Sequence, residues 1–238
     1  MVLTQPVFFL THLGIGDLFY SIGAIRFLAK HFNEVRVVFQ SIHKDIYDSL
    51  YHDLPNVKPI FTNHWGGNFI ESQGCTLFLG GGYSHKPISG YPDYPYEFYD
   101  QMGLKRSILK DYFYIPRLPE YKELWAQMPS RYIFIHEQST VGTLDIFSKL
   151  NTDLLVLDPN KNHYAENHTY YALAQLAVNK PSPVYHMYLI ENAEELHLVE
   201  SCYIALAHQL DISNVKVKKG YFTREGDSIK TFGMFERD

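Results

Sequence analysis

Cysteine is scarce in this chain of 238 residues, and long apolar runs are missing. Only Cys75 and Cys202 are present, in distant segments with a buried pattern, so the sequence predicts no disulfide framework and favours a reducing compartment. No apolar run approaches the length that a helix needs to cross a bilayer, and the first residues lack the basic segment of a secretory signal. We therefore expect a soluble, cytoplasmic protein without a transmembrane segment.

Strong charge of one sign is missing as well. The formal net charge is −5 and the basic residues are spread along the sequence, so nothing indicates nucleic acid as a partner. The twelve histidines contain no pair at the i, i+4 spacing of a helical zinc site, and no cluster of cysteines accompanies them. A D-x-D motif, which binds the metal ion of a diphosphate, is also absent. We expect neither a bound metal nor a cofactor.

Short apolar runs alternate with amphipathic stretches in the first half of the chain. The predicted strands are 7–11, 35–39, 57–61 and 76–79, and the predicted helices are 18–32, 42–50 and 94–102. This βαβ alternation favours parallel strands joined by right-handed crossovers. In the first helix the apolar residues recur every three or four positions and predict its buried face, whereas Arg26 and Lys30 lie outside this stripe.

The alternation starts again after an extended, proline-containing segment at 112–119. The predicted strands are 132–135, 154–157, 183–189 and 215–218, and the predicted helices are 169–178 and 192–210. The tail from Gly220 is predicted to form a hairpin with its turn at 225–227. The sequence therefore predicts an α/β protein with two Rossmann-like domains, residues 1–118 and 119–238, that face each other across a cleft.

The most informative motif is the turn between the first predicted strand and the first predicted helix. Gly14 and Gly16 let the backbone approach a ligand closely and leave N–H groups for a phosphate, and His12 adjoins them as a core histidine or as a hydrogen-bonding group of the cleft. Asp17 closes the turn, either as an N-cap or as a general base where a doubly wound sheet binds ligands. A dinucleotide-binding fingerprint needs a third glycine where Phe19 stands, so it is disfavoured.

The run Gly14–Leu18, followed by Ile22–Leu28 and Phe32, resembles the opening of the heptosyltransferase-like glycosyltransferases, which have the GT-B fold. The resemblance covers chiefly the first forty residues. It implies that the first domain binds the acceptor and that the second binds a nucleotide-sugar donor. It also implies that Asp17 is the base that deprotonates the acceptor hydroxyl.

A second match lies near the end of the second half. In the family, an acidic residue followed by Ser and a small residue begins a helix that faces the nucleotide or diphosphate of the donor, and Glu200–Cys202 has this pattern. Ala205 stands where the family has a histidine, and the predicted helix 192–210 has no clean break before the motif. These departures shift weight to residues nearer the beginning of that helix. The donor-binding candidates on this segment are Glu195, His197, Glu200 and Ser201.

Polar loops follow the first two predicted strands of the second half, at carboxyl strand ends where ligands collect in α/β sheets. Their hydroxyl and N–H groups would bind a donor phosphate, their amides would contact a nucleobase, and their lysine would neutralise phosphate. Ordinary turn and capping chemistry is the alternative. The donor-binding candidates here are His136, Glu137, Ser139, Thr140, Asn160, Lys161 and Asn162.

Three glycines end the predicted strand at 76–79 and begin a long loop rich in Gly, Pro and Tyr. Because glycine is costly to order, we expect a sharp bend or a close approach to a ligand there. We predict a cleft wall that includes Gly82, Tyr83 and His85, and the alternative is a surface connector.

The resemblance implies a metal-independent transfer of a sugar from a nucleotide sugar to a hydroxyl group of a glycan or another acceptor. Two other functions stay open at this point. A nucleotide-sugar epimerase or hydrolase could use the same fold, and so could a non-catalytic nucleotide-sugar-binding protein, because the chain is short for the fold.

Overall fold

The computed structural model describes residues 6–10, 14–63, 78–80, 94–140, 142–221 and 235–237. The chain divides into two compact units, Met1–Pro116 and Arg117–Asp238. The predicted boundary between residues 118 and 119 lies two residues further along the chain. Within the described ranges, no helix is both long enough and apolar enough to cross a membrane.

The first unit contains a four-stranded parallel sheet with the order β3-β2-β1-β4. Its strands are β1 (Val7–Leu10), β2 (Val35–Gln40), β3 (Val57–Thr62) and β4 (Phe78–Gly80), and its helices are α1 (Ile15–His31), α2 (Lys44–Tyr51), α3 (Tyr94–Gln101) and α4 (Ile108–Asp111). Each strand begins and ends within two residues of its predicted position. The βαβ alternation predicted for this half is therefore confirmed.

Helix α1 packs against α4 and approaches it closely at Gly23. A Cβ atom on Gly23 would lie only 2.4 Å from the carbonyl oxygen of Ile108. The hydroxyl of Tyr99 on α3 donates to the carbonyl of Tyr20 at 2.7 Å and accepts the N–H of Ala24 at 3.2 Å. The absence of a side chain at Gly23 thus allows backbone-to-backbone contact between two helices.

Arg26 on α1 is buried, although the sequence placed it outside the apolar stripe. Its guanidinium binds Asp53 through two hydrogen bonds of 2.9 Å and donates to the carbonyl of Leu50 at 2.8 Å. Burial alone would raise the pKa of Asp53, but the hydrogen bonds and charge of Arg26 outweigh it and lower the pKa. The charge of Arg26 can be buried here because its partner Asp53 is supplied by the turn that follows α2.

The second unit contains a five-stranded parallel sheet with the order β6-β5-β7-β8-β9. Its strands are β5 (Tyr132–His136), β6 (Leu155–Leu157), β7 (Glu195–Val199), β8 (Val217–Tyr221) and β9 (Glu236–Arg237), and its helices are α5 (Pro119–Ala126), α6 (Tyr171–Ala177), α7 (Met187–Glu191) and α8 (Cys202–Ala207). The predictions of β5, β6 and α6 are confirmed. Two parallel α/β sheets are thus present, as the sequence predicted.

The prediction of a strand at 183–189 and of one helix at 192–210 is wrong. Pro183–His186 forms a 3-10 helix whose start is capped by the Ser182 hydroxyl, and α7 follows it directly. The segment from 192 contains strand β7, which pairs with β5 on one side and β8 on the other. A buried position between two strands therefore outweighs the helix-favouring Ala-Glu-Glu sequence at which β7 begins.

Most of the hairpin predicted for the tail cannot be compared with the structure. In the described part of the tail, strands β8 and β9 pair in parallel, with Lys219 opposite Glu236. The predicted turn at 225–227 lies outside the described residues.

The close approach at Gly23 predicts a stability effect. We expect Gly23→Ala to lower the free energy of unfolding by about 1–3 kcal/mol, because the added methyl group meets a backbone carbonyl that cannot rotate away. The gain of about 1 kcal/mol in helix propensity offsets only part of this cost. Urea unfolding measures the effect.

Gly142→Ala is the control, since a Cβ atom there would have no atom within 4 Å. Its unfolding should stay within about 0.5 kcal/mol of the unchanged protein. Equal stability of the Gly23 and Gly142 variants would contradict the packing argument.

Candidate functional site

Polar residues gather at the carboxyl edge of the second sheet. His136 ends β5, Asp158 directly follows β6, and Ser201 lies two residues after β7. Because β6, β5 and β7 are neighbours and run in parallel, their carboxyl ends meet at one edge. This is the edge at which open α/β sheets bind ligands.

His136 joins the loops of the two neighbouring strands. Its Nδ1 lies 2.9 Å from the hydroxyl oxygen of Ser201, and its Nε2 lies 3.0 Å from Nδ2 of Asn160. The amide nitrogen of Asn160 can only donate, so Nε2 accepts and Nδ1 carries the proton that is donated to Ser201. Three predicted donor-binding residues therefore form one hydrogen-bonded group.

The Ser201 hydroxyl has a specific role in this group. Its oxygen accepts a hydrogen bond from His136 Nδ1 and another, at 3.2 Å, from the N–H of Tyr203. The bond from Tyr203 caps the start of helix α8. Both lone pairs are thus in use, and in the described part of the chain the hydroxyl proton has no acceptor. Ser201 is half-buried and can donate this proton to a ligand.

A buried aromatic layer fixes the imidazole of His136. Its ring lies 4.4 Å from the ring of Tyr203, whose hydroxyl lies 3.0 Å from Nδ1 of His186. Nε2 of His186 donates to the carbonyl of Ala177 at 2.8 Å, so Nδ1 accepts from Tyr203 and the imidazole is neutral. Burial lowers the pKa of His136 and of His186 to about 4, although the charge of Asp158 acts in the opposite direction. Both histidines are therefore neutral at pH 7.

A second group lies beside the first. Glu137, Asp158 and His163 each present one possible ligand atom, and these atoms lie within 4.8 Å of one another. Oε1 of Glu137 accepts the N–H groups of Ile146 and Phe147, each at 2.7 Å. The Phe147 ring stacks on His163 at 4.4 Å. These three side chains are the ones that could hold a metal ion in the described ranges.

The remaining loop candidates have mixed surroundings. Ser139 binds within its own loop, because its hydroxyl and its N–H both donate to the carbonyl of Gly142. Asn162 donates to the carbonyl of Tyr171 and accepts the N–H of Tyr164, so its amide stabilises the loop. Among the predicted candidates in these two loops, the exposed residues are Thr140, Asn160 and Lys161.

Glu195 and His197 lie on a strand, not at the beginning of a helix as predicted. Glu195 begins β7 and His197 is its middle residue, whereas Glu200 and Ser201 follow its carboxyl end. His197 is buried, with Nδ1 2.9 Å from the Tyr221 hydroxyl and Nε2 2.9 Å from a carboxylate oxygen of Glu195. Both ring nitrogens of His197 thus have partners within the sheet, on β8 and at the start of β7.

The glycine turn of the first unit begins α1 three residues earlier than a cap at Asp17 would. Gly14 is the N-cap with extended backbone angles, and Gly16 lies in the first turn. Asp17 is the third helical residue, and its Oδ2 accepts the N–H of Gly14 at 3.2 Å. The N-cap hypothesis is therefore wrong in position, although the carboxylate does satisfy an N–H group at the helix start.

Four residues predicted for the acceptor side or cleft lie outside the described residues. They are His12, Gly82, Tyr83 and His85.

Sequence reasoning missed four residues of this edge. Asp158 and His163 flank the polar loop after β6, and their spacing gave no metal-site pattern. His186 was hidden in the wrongly predicted strand at 183–189, and Tyr203 in the long predicted helix. Correct placement of β7 would have put Tyr203 just after a carboxyl strand end, where it could have been considered.

Solved structures show which proteins share this fold. The iron-containing dodecameric glycosyltransferase TibC from enterotoxigenic E. coli is 14% identical, with a TM-score of 0.55 over 100% of this chain and 64% of TibC. TibC in complex with ADP-D-β-D-heptose gives the same score over 63% of its chain. A glycosyl transferase of family 9 from Veillonella parvula is 10% identical, with a TM-score of 0.52 over 100% of this chain and 87% of that protein.

These comparisons concern the fold. The chain has a heptosyltransferase-like glycosyltransferase fold, and its parallel α/β sheets fit the GT-B type. It spans about 64% of the length of TibC. No family model matches the chain, and no curated protein matches it in sequence.

The buried neutral histidines predict a pH effect on stability. His186 titrates near pH 4 when folded and near 6.5 when unfolded, so between these values the unfolded chain binds more protons. The contribution of neutral His186 to the free energy of unfolding is therefore fully present above about pH 6.5 and decreases as the pH falls towards 4. Urea unfolding at about pH 7 and about pH 4.5 measures this loss.

In the His186→Gln protein, the decrease in unfolding free energy between these two pH values should be smaller by roughly 2 to 3 kcal/mol. Glutamine can replace both hydrogen bonds of His186 but does not titrate. His168→Gln, at an exposed position of the same unit, should keep the full loss. A His186→Gln protein with the pH dependence of the unchanged chain would rule out this origin.

Proposed function

We propose that this protein is a glycosyltransferase that moves a sugar from a nucleoside-diphosphate sugar to a hydroxyl acceptor. The observation that carries the proposal is the group formed by His136, Asn160 and Ser201 at the carboxyl edge of the second sheet, in a chain with a glycosyltransferase fold. One of the structures with this fold is a complex with ADP-D-β-D-heptose. We therefore assign the donor to the second unit.

The edge offers groups that suit a diphosphate. The Ser201 hydroxyl donates a hydrogen bond, and the exposed ammonium of Lys161 supplies positive charge from the loop after β6. His136 is neutral, so it orients Ser201 and Asn160 and adds no charge of its own. Preorganised donors of this kind stabilise the negative charge that develops on a leaving diphosphate.

We propose that the transfer itself uses no metal ion at the diphosphate. The sequence lacks a D-x-D motif, and hydrogen-bond donors and Lys161 would neutralise the leaving group. The rate should then be the same with and without added Mg²⁺ or Mn²⁺.

Asp17 is the proposed general base of the first unit. It is a half-buried carboxylate in the first turn of α1, and its bond to the Gly14 N–H uses one lone pair of Oδ2. A carboxylate held at a helix start can take the proton of an acceptor hydroxyl that lies within hydrogen-bond reach. Its helix-start role and its proposed catalytic role are therefore compatible.

The donor site is tested at Ser201. We expect Ser201→Ala to weaken binding of a nucleoside diphosphate about ten- to hundredfold, because a hydrogen bond to a charged group is lost. Ser201→Thr keeps the hydroxyl and should bind nearly as the unchanged protein does. Calorimetry with ADP, UDP and GDP measures the affinity.

Ser213→Ala is the matched control, since Ser213 is exposed and lies outside the edge. Unchanged binding by Ser201→Ala with a normal melting temperature would remove this residue from the site. Tight binding of a nucleotide sugar without turnover on any acceptor would instead identify a non-catalytic binding protein, and product formed without an acceptor would identify a hydrolase or epimerase.

The base is tested by Asp17→Asn. The amide oxygen can still accept the Gly14 N–H, so the melting temperature should stay close to that of the unchanged protein. Turnover should fall by roughly 10² to 10⁴, because the proton acceptor is gone. Asp45→Asn, an equivalent change in the first turn of α2, should leave turnover intact. A near-normal rate for Asp17→Asn would leave the residue with a helix-start role only.

A further inference from the structure

We propose that Glu137, Asp158 and His163 form a binding site for one divalent transition-metal ion such as Zn²⁺. The three side chains belong to the loops after β5 and β6 and are 8%, 2% and 4% exposed. They supply two carboxylate oxygens and one imidazole nitrogen, which are common ligands of Zn²⁺. The ion would have a structural role, tying the two loops together beside the edge described above.

The distances match those between ligands of one ion. Nε2 of His163 lies 3.1 Å from Oδ2 of Asp158 and 3.6 Å from Oε2 of Glu137. With metal–ligand distances of about 2.1 Å, tetrahedral coordination separates two ligand atoms by about 3.4 Å. An ion can therefore enter with small movements of the side chains.

Glu137 supplies the observation that points to a ligand. Its Oε1 is fixed by two backbone N–H groups, which aims Oε2 at His163. In the described part of the chain no donor forms a hydrogen bond with Oε2, and its approach to Nε2 at 3.6 Å is too long for one. The Glu137 side chain is only 8% exposed, so a carboxylate oxygen without a hydrogen bond is costly there, and a cation would compensate it.

A hydrogen bond from His163 stabilises the two carboxylate groups, Glu137 and Asp158, less completely than a metal ion would. Nε2 has one proton, which is directed to Asp158 in the shorter contact, so Glu137 Oε2 stays uncompensated. A divalent ion contacts all three ligand atoms at once and balances both carboxylate charges. Sequence patterns did not indicate this site, because its ligands come from two loops and include only one histidine.

The test uses Zn²⁺ alone, on full-length protein without a histidine tag and without any nucleotide or acceptor. We expect calorimetry to show one tight site per chain and Zn²⁺ to raise the melting temperature. His163→Gln should weaken binding at least about a hundredfold, beyond the range typical for loss of an outer-shell partner. His168→Gln, five residues later and exposed, is the control and should bind as the unchanged chain does.

Glu137→Gln is the second variant, because its amide oxygen can still accept the two N–H groups while the charge is lost. It should also weaken binding, and circular dichroism checks that both variants fold. Absence of tight binding in the unchanged chain would overturn the proposal. Equal binding by the unchanged and His163→Gln proteins would overturn it too, since the ion would then be held by other histidines. Neither result depends on glycosyltransferase activity.

Discussion

The parallel pairing of β5 with both β6 and β7 is the constraint on which the candidate site depends. Its register places Phe134 opposite Leu157 and His136 opposite Leu198, so the three strands end at nearly the same height. Three loops that are distant in sequence are thereby brought to one edge. Their polar side chains are then close enough to form direct hydrogen bonds, and the buried strands hold the first residues of each loop in place.

Much of the fold could be predicted from local sequence, because apolar runs such as Val35–Gln40 and amphipathic stretches such as α1 follow the periods of strand and helix. The errors arose where local preference and tertiary position disagree. Val184 and Tyr185 favour a strand, yet Ser182 caps a 3-10 helix there. Strand β7 follows a helix-favouring sequence, and only pairing on both sides determines its conformation.

Individual residues of the candidate site could be predicted from the sequence, but the hydrogen bonds between them could not. His136, Asn160 and Ser201 could each be named, since polar residues at carboxyl strand ends collect ligands. Their hydrogen bonds join residues 24 and 65 positions apart, a distance at which periodicity carries no information. The neutral state of His136 depends on burial beside Tyr203, which only the packed structure determines. The identity of a polar residue can be read from the sequence, whereas its protonation state and its hydrogen-bond partners depend on the tertiary structure.

The way Glu137 closes its loop bears on how this protein could be modified. Its carboxylate holds the N–H groups of Ile146 and Phe147, its carbonyl accepts the N–H of Leu144, and Gln138 pairs with Thr143. These contacts therefore close the base of the loop, and they do not involve the residues at its tip. Because loop-closure entropy grows slowly with length, residues can be inserted at the tip without displacing the sheet edge. A reporter group or a grafted recognition sequence could thus be placed within a few residues of the candidate site while the strands beneath keep their register.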